Sequence, residues 1–204
     1  MENYLAVLLF SFTTAVTPGP NVIMITSSGL NYGIRKSLPH YLGVCIGLPV
    51  MVAAVGLGFD VVFHEFPLLH EIIKVTGILY FFYLAYHVAT ASGTATRDNK
   101  TTPFTFIQAA VFQWINPKAW IMATEAIAAY TTDDSDILMQ VYYITLAFFI
   151  MMFPCTALWL FFGANLKKIL KNEMQQRLFN VSMALLLIAS ITPVIIELAL
   201  KYFP

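Results

Sequence analysis

Two proline-containing motifs, the second ending in a lysine, hold the residues of this sequence best suited to binding a charged group. They are Thr17-Pro18-Gly19-Pro20-Asn21 and Asn116-Pro117-Lys118, so that Pro18 and Pro117 lie 99 residues apart. In each motif a capping residue, Thr17 or Asn116, precedes a proline that is suited to the first position of a helix. A helix that restarts there leaves free N–H groups and a positive dipole end, both of which favour a bound carboxylate. We therefore predict an anion-binding break in each motif, against the alternative that the prolines only kink packed helices.

Lys118 is the most informative single side chain. It lies about 14 residues into its apolar segment, roughly 21 Å along a helix axis, so neither end is close. A charge at that depth is costly and by default serves function, although a structural pairing with a carboxylate or with exposed carbonyl groups is the alternative. Glu125 lies seven residues further on nearly the same helix face, about 10.5 Å away, which is too far for direct pairing. We expect Lys118 and Glu125 to couple the site to protons or to a substrate amine, with Glu125 at the outer interface as the alternative.

Neighbouring amide side chains add polar groups to the same two breaks. Gln113 and Asn116 are three residues apart and face one side of a helix with Lys118 nearby, and Asn21 follows the first break. A small zwitterion such as an amino acid offers the carboxylate that such helix ends favour. The predicted substrate-binding residues are Thr17, Pro18, Gly19, Pro20, Asn21, Gln113, Asn116, Pro117 and Lys118.

Composition indicates a membrane protein. Of 204 residues, 59% are hydrophobic and 11% are charged, against about 25% charged in a soluble domain. The mean hydropathy is +0.74, and a net charge of zero provides no basic field to recruit nucleic acid. The sequence has no phosphate-binding glycine loop, no cluster at metal-ligand spacing and no nucleophile elbow. We therefore expect a small-molecule substrate and surrounding lipid as partners, with no catalytic residue, metal or cofactor.

Six segments are apolar and long enough to span a hydrocarbon core of about 30 Å, which takes roughly 20 helical residues. They lie near 4–26, 38–59, 71–92, 104–130, 137–164 and 178–201. Basic residues concentrate in alternate loops, namely Arg35, Lys36, Arg97, Lys100, Lys167, Lys168, Lys171 and Arg177. Because basic loops stay cytoplasmic, both termini are expected to face outward.

With three helices in each half, helix 1 enters the membrane from outside and helix 4 from inside. The halves, near 1–100 and 101–204, would then be inverted repeats within a single domain of residues 1–204. Pro49 and Pro154 lie in the second helix of each half, 105 residues apart. Paired breaks in two such halves are typical of a transporter that works by alternating access. The predicted fold is an all-α integral membrane protein of six transmembrane helices, with helices 1 and 4 broken.

Smaller features leave alternatives open. Cys45 and Cys155 lie in roughly corresponding places on helices 2 and 5, so a membrane thiol-disulfide relay enzyme is the rival function, although two ordinary buried cysteines are the favoured interpretation. Gly43 and Gly47 form a G-x-x-x-G pair that lets another helix approach, which leaves a homodimer open. His40 is expected at the membrane interface. A passive channel is disfavoured, because its pore has no need of a lysine at mid-membrane.

The same motifs resemble those of a known family. The run from Thr17 to Asn21, the glycines Gly33, Gly43 and Gly47, and the run from Gln113 to Trp120 resemble the lysine-exporter (LysE/RhtB, homoserine–threonine resistance) family. The resemblance covers essentially the whole chain. It implies a multi-pass exporter of an amino acid or amino-acid derivative in the bacterial inner membrane, driven by proton exchange. It does not choose among basic, hydroxylated, aliphatic and sulfur-containing amino acids.

Overall fold

The structure is a computed structural model that describes residues 4–58, 65, 67–91, 102–132 and 136–202. Within these residues the elements are seven α-helices and one short 3₁₀ helix. They are α1 (Tyr4–Val16), α2 (Pro20–Gly56), α3 (Pro67–Thr90), α4 (Phe106–Phe112), the 3₁₀ helix Gln113–Ile115, α5 (Pro117–Tyr130), α6 (Ile137–Ile169) and α7 (Glu173–Tyr202). The prediction of an all-α protein is confirmed.

Four stretches of helix in the described residues are long and apolar enough to cross a membrane. They are Pro20–Gly56, Glu71–Thr90, Ile137–Ile169 and Glu173–Tyr202, and Tyr4–Val16 and Phe106–Ile115 are shorter apolar helices. The short helices arise where the proline motifs interrupt the predicted spans 4–26 and 104–130. Both predicted breaks are therefore present, while the arrangement of six spans as inverted repeats stays a prediction.

A sharp corner within α2 lies between the first two predicted spans, 4–26 and 38–59. Gly33 has φ 75° and ψ 173°, which is not helical, inside an otherwise continuous helix. Glycine adopts this conformation without the steric penalty that a Cβ atom brings. α2 therefore consists of two helical arms, 20–32 and 34–56, and the first arm completes the predicted first span.

α2 is the centre of the fold and packs most extensively against α6, with further contacts to α4 and α5. Glycines permit the close approach, because a Cβ atom at Gly47 would lie 2.7 Å from the Cα atom of Ala110 in α4. Gly43 is packed equally tightly against the backbone of Phe106. The G-x-x-x-G pair is therefore used within the chain and gives no support to a homodimer.

α3 and α7 form a second packed pair, and the apolar cluster between them also includes Ile23 and Met24 of α2 and Phe112 of α4. Two ion pairs join these helices, Lys74 with Glu197 at 2.7 Å and Lys201 with Glu71. Because exposed ion pairs contribute only about 0–1 kcal/mol, the apolar contacts supply most of the association.

Gly163, where α6 contacts α2, should be the glycine most sensitive to an added methyl group. In Gly163→Ala the new Cβ atom would lie 2.8 Å from the carbonyl carbon of Thr26, which is backbone and cannot rotate away. We expect a loss of about 1–3 kcal/mol in stability, as for other overpacked sites. The thermal unfolding midpoint of the purified protein measures it, with Gly77→Ala as the control, since that Cβ atom would meet its nearest neighbour at 3.4 Å. Equal midpoints for the two variants would contradict this account of the packing.

Candidate functional site

The two helix breaks meet in the folded chain. Asn21 and Gln113 form a reciprocal amide pair, in which Asn21 Nδ2 donates to Gln113 Oε1 at 2.8 Å and Gln113 Nε2 donates to Asn21 Oδ1 at 3.1 Å. Gln113 is completely buried, and its Nε2 also donates to the carbonyl of Ala109 at 2.9 Å. The amide predicted beside the second break therefore holds the first break in place.

Lys118 forms a second bridge between the breaks. Its Nζ donates to the carbonyl oxygen of Thr17 at 2.6 Å, which lies just beyond the last residue of α1, where the helix dipole is negative. The lysine stem lies over Gly19, since a Cβ atom there would be 2.7 Å from Lys118 Cδ. Among the described residues no carboxylate lies within ion-pair distance of Lys118. The sequence left a carboxylate or an exposed carbonyl as a structural partner of Lys118. In the structure the partner is a carbonyl, that of Thr17.

Asn116 caps α5 as predicted, but it leaves no N–H group free in the first turn. Its Oδ1 accepts from Lys118 N at 3.2 Å, and its carbonyl accepts from the backbone N–H groups of Ala119 at 3.0 Å and Trp120 at 3.3 Å. Pro117, the first residue of the helix, has no N–H to offer. The prediction that this break presents unpaired N–H groups is therefore wrong for the α5 backbone.

Thr17 does not cap the helix that follows it, which corrects the predicted register of the first break. Its N–H and hydroxyl both donate to the carbonyl of Thr13, so Thr17 continues the hydrogen bonding of α1. The helix restarts two residues later than predicted, with Gly19 as N-cap and Pro20, rather than Pro18, at the first position. Glycine has no side chain with which to satisfy the exposed N–H groups.

The first break consequently exposes backbone donors and acceptors together. The N–H groups of Gly19, Asn21 and Val22 donate to no acceptor in the described part of the chain. On the other side of the break, the carbonyls of Thr14 and Ala15 receive no hydrogen bond there, in part because Pro18 lacks an N–H. One interrupted helix thus offers both the free donors of a helix start and the free acceptors of a helix end.

These groups surround a pocket between α1, α2, α5 and α6. Its polar lining comes from both breaks and from α6, namely Thr14, Thr17, Gly19, Asn21, Asn116, Lys118 and Thr156. The rest of the lining is apolar and consists of Ala15, Val22, Ile25, Leu48, Met122 and Met152. Among the residues that the structure describes, no aspartate or glutamate lines the pocket. In its chemistry, this lining matches a small molecule with one polar end and a modest apolar or weakly polar side chain.

The predicted site residues divide into those that line the pocket and those that shape it. Pro18, Pro20, Gln113 and Pro117 are not in the pocket wall but lie in the chain on either side of it. Glu125 is exposed on α5 and does not line the pocket, so its coupling role stays a prediction. Sequence reasoning missed eight lining residues, which are Thr14, Ala15, Val22, Ile25, Leu48, Met122, Met152 and Thr156. Leu48, Met152 and Thr156 lie close to Pro49 or Pro154 in the sequence, but only the fold brings them to the breaks.

A second group of buried polar residues lies around the corner in α2. His40 is fully buried within the protein, and its expected position at the level of the membrane interface stays a prediction. Its Nδ1 is 2.8 Å from Ser28 Oγ across the corner. Nearby in the sequence, Asn31 forms a reciprocal amide pair with Asn180 of α7 at 2.9 Å in each direction. These bonds hold the two arms of α2 and the start of α7 together.

The fold and the pocket define a class of protein, a multi-pass helical membrane protein with a small-molecule pocket at interrupted helices, which is the arrangement found in transporters. The chain belongs to the LysE type translocator family, whose model matches residues 12–192. It is therefore a membrane translocator and not an enzyme, and the resemblance described from the motifs is confirmed.

Curated relatives match most of the chain. Proteins named cysteine/O-acetylserine efflux protein are 26% identical in Escherichia coli O1:K1 / APEC, and 25% identical in E. coli strain K12 and in Shigella flexneri serotype 5b. Each match extends over 180 residues, which is 88% of this chain and 90% of the relative. No solved structure matches the chain significantly.

The thiol-disulfide relay alternative is not favoured. Cys45 and Cys155 are both free and buried, whereas a relay thiol has to be accessible to its partner protein. Their Sγ atoms lie 3.5 Å from the carbonyl of Met152 and 3.9 Å from the carbonyl of Phe12, respectively. The cysteines are ordinary packing residues of α2 and α6.

Replacing both cysteines should leave transport largely intact. In the Cys45→Ser/Cys155→Ser variant each serine lies within a helix, where its hydroxyl can donate to the backbone carbonyl four residues earlier, so neither introduces an unpaired buried group. We expect most of the wild-type transport rate in proteoliposomes. Loss of transport together with a mixed disulfide trapped on a partner protein would instead support the relay.

Proposed function

We propose that this protein exports a small amino acid or amino-acid derivative across the bacterial inner membrane. Cysteine and O-acetylserine are the first candidates, because the relatives are named for their efflux. The observation that carries the proposal is that two interrupted helices join at one pocket, through the Asn21–Gln113 pair and the Lys118–Thr17 bridge. Because the described residues of the pocket lining include no acidic side chain, the pocket favours amino acids without a cationic side chain.

The substrate carboxylate would bind at the start of α2. Three free N–H groups, those of Gly19, Asn21 and Val22, lie there at the positive end of a helix dipole. Asn116 is 1% exposed and its Nδ2 has no hydrogen-bond acceptor among the described residues, so it adds a buried donor to the pocket. Together with Lys118 these donors give charge-assisted hydrogen bonds, which are about twice as strong as neutral ones.

The substrate side chain would lie against the apolar wall. Met122 and Met152 form part of that wall, and methionine is flexible enough to fit several small side chains. Thr156 adds a single hydroxyl from α6. Such a wall suits a thiol or a short ester better than a charged side chain.

Transport would proceed by alternating access of two inverted three-helix halves, with proton exchange as the driving force. Both termini would face outward, in accord with the distribution of basic residues. Arg97 and Lys100, on which this orientation partly depends, lie outside the described residues. The α2–α6 contact links the two proposed halves close to the pocket, so a shift between them would change access to it.

Counterflow and gradient-driven uptake in proteoliposomes test this function. Purified protein is reconstituted and presented with a panel of radiolabelled amino acids that includes cysteine and O-acetylserine, with and without a pH gradient. We expect exchange of at least one small amino acid above that of protein-free liposomes, and accumulation only with the gradient. If no amino acid exchanges, the proposed substrate class is wrong, whereas exchange without any effect of the gradient would refute proton coupling alone.

A further inference from the structure

We propose that the ammonium group of Lys118 lies where the ammonium group of the substrate binds, and that the substrate displaces it. The inference rests on the proposed function for the presence of an amino-acid substrate. It adds how the pocket recognises both charges of that substrate at one helix break.

The end of α1 is a site for a primary ammonium group. Lys118 Nζ, which is chemically the same group as the amine of an amino acid, donates to the carbonyl of Thr17 at 2.6 Å. The carbonyls of Thr14 and Ala15 receive no hydrogen bond in the described part of the chain, and both residues line the same pocket. A primary ammonium has three donors, which matches this number of carbonyl oxygens.

The described residues that line the pocket include no acidic side chain that could bind a second cation. An incoming ammonium therefore competes with Lys118 for the carbonyl oxygens at the end of α1. Lys118, once displaced, needs another anion, since a charged amine at mid-membrane is costly without a partner. The carboxylate of the same incoming molecule supplies that partner at the adjacent start of α2.

Only a molecule that carries both charges can make this exchange. A simple amine would leave two cations without an anion, and a simple acid would leave the lysine in place. The bridge between Lys118 and Thr17, which ties α5 to α1, is thus released by a zwitterion. Specificity for free amino acids follows from the exchange itself and does not require an acidic residue.

The test measures binding of ethylammonium, a primary ammonium ion without a carboxylate, to purified full-length protein. The concentration that produces half of the maximal rise in thermal unfolding midpoint is compared between wild type and Lys118→Met. Removal of the competing lysine should lower that concentration at least about tenfold, the lower end of what one charged hydrogen bond contributes. Lys167→Met, which removes an exposed lysine from α6, should behave like wild type.

Tighter binding of ethylammonium to Lys118→Met, and not of tetramethylammonium, which has no N–H donor, supports the exchange. If ethylammonium binds equally well to wild type and Lys118→Met, the exchange is overturned. It is also overturned if Lys118→Met binds tetramethylammonium more tightly than wild type does, to the same extent as ethylammonium. If Lys118→Met does not yield folded protein, Lys118→Gln takes its place with the same expected direction. This readout involves no transport, so it can fail while the proteoliposome assay succeeds, and the reverse.

Discussion

Lys118→Met is expected to reduce transport at least about tenfold, and up to roughly 150-fold, the range that follows from one lost charged hydrogen bond. The side chain keeps its length and apolar stem, so contact with Gly19 is preserved, but the donor to Thr17 is lost. A substrate carboxylate also loses the cation that Lys118 contributes to the pocket lining. The initial rate of exchange in proteoliposomes, normalised to the amount of inserted protein, measures the effect.

Two further variants separate charge from geometry. Lys118→Arg should retain little transport, because a planar guanidinium does not replace a compact ammonium on a carbonyl oxygen beside Gly19. Lys167→Met, an exposed position on α6, should transport like wild type. Wild-type rates in Lys118→Met would show that the lysine is a structural residue without a role in the substrate site.

Amidation of the substrate should weaken binding much more than a change of one methylene in its side chain. An amide no longer offers an anion to Lys118 or to the free N–H groups of Gly19, Asn21 and Val22. A lost charged hydrogen bond costs about 1.5–3 kcal/mol, and several such bonds are lost together. A methylene costs about 1–3 kcal/mol in a tight pocket, and less against a methionine wall that adapts.

Competition against labelled substrate measures this difference, with the free acid, its amide and its one-carbon homologue in parallel. The carboxylate is not held at the helix breaks if the amide competes as well as the acid. If the one-carbon homologue competes less well than the amide, the apolar wall of the pocket, rather than the helix breaks, determines affinity.

The presence and approximate position of both breaks could be predicted from sequence because proline acts locally. A missing N–H and a fixed φ interrupt a helix wherever the residue occurs, so Pro18, Pro20 and Pro117 mark the interruptions. The register of the first break could not be predicted in the same way. Both Pro18 and Pro20 are suited to the first position of a helix. In the structure the helix starts at Pro20, and Gly19, just before it, packs against the side chain of Lys118.

The contacts that assemble the site depend on the tertiary fold. Gln113 was predicted to face the second break, but its pairing with Asn21 joins residues 92 positions apart. Asn116 was expected to leave a helix start open, and instead its side chain and carbonyl close the α5 backbone. Sequence identifies which residues have polar groups to satisfy, whereas the three-dimensional neighbours decide which groups stay free to bind a ligand.

Substrate protection of a thiol placed in the break tests most directly whether this pocket is the binding site. In a Cys45→Ser/Cys155→Ser background, Thr17→Cys puts a thiol on an exposed residue that lines the pocket, and a small maleimide labels it. Thr124→Cys, exposed on α5 and absent from the pocket lining, is the matched control. The account predicts that O-acetylserine, which has no thiol, slows labelling at position 17 several-fold and leaves position 124 unchanged. Equal labelling at position 17 with and without the amino acids that the protein transports would contradict it.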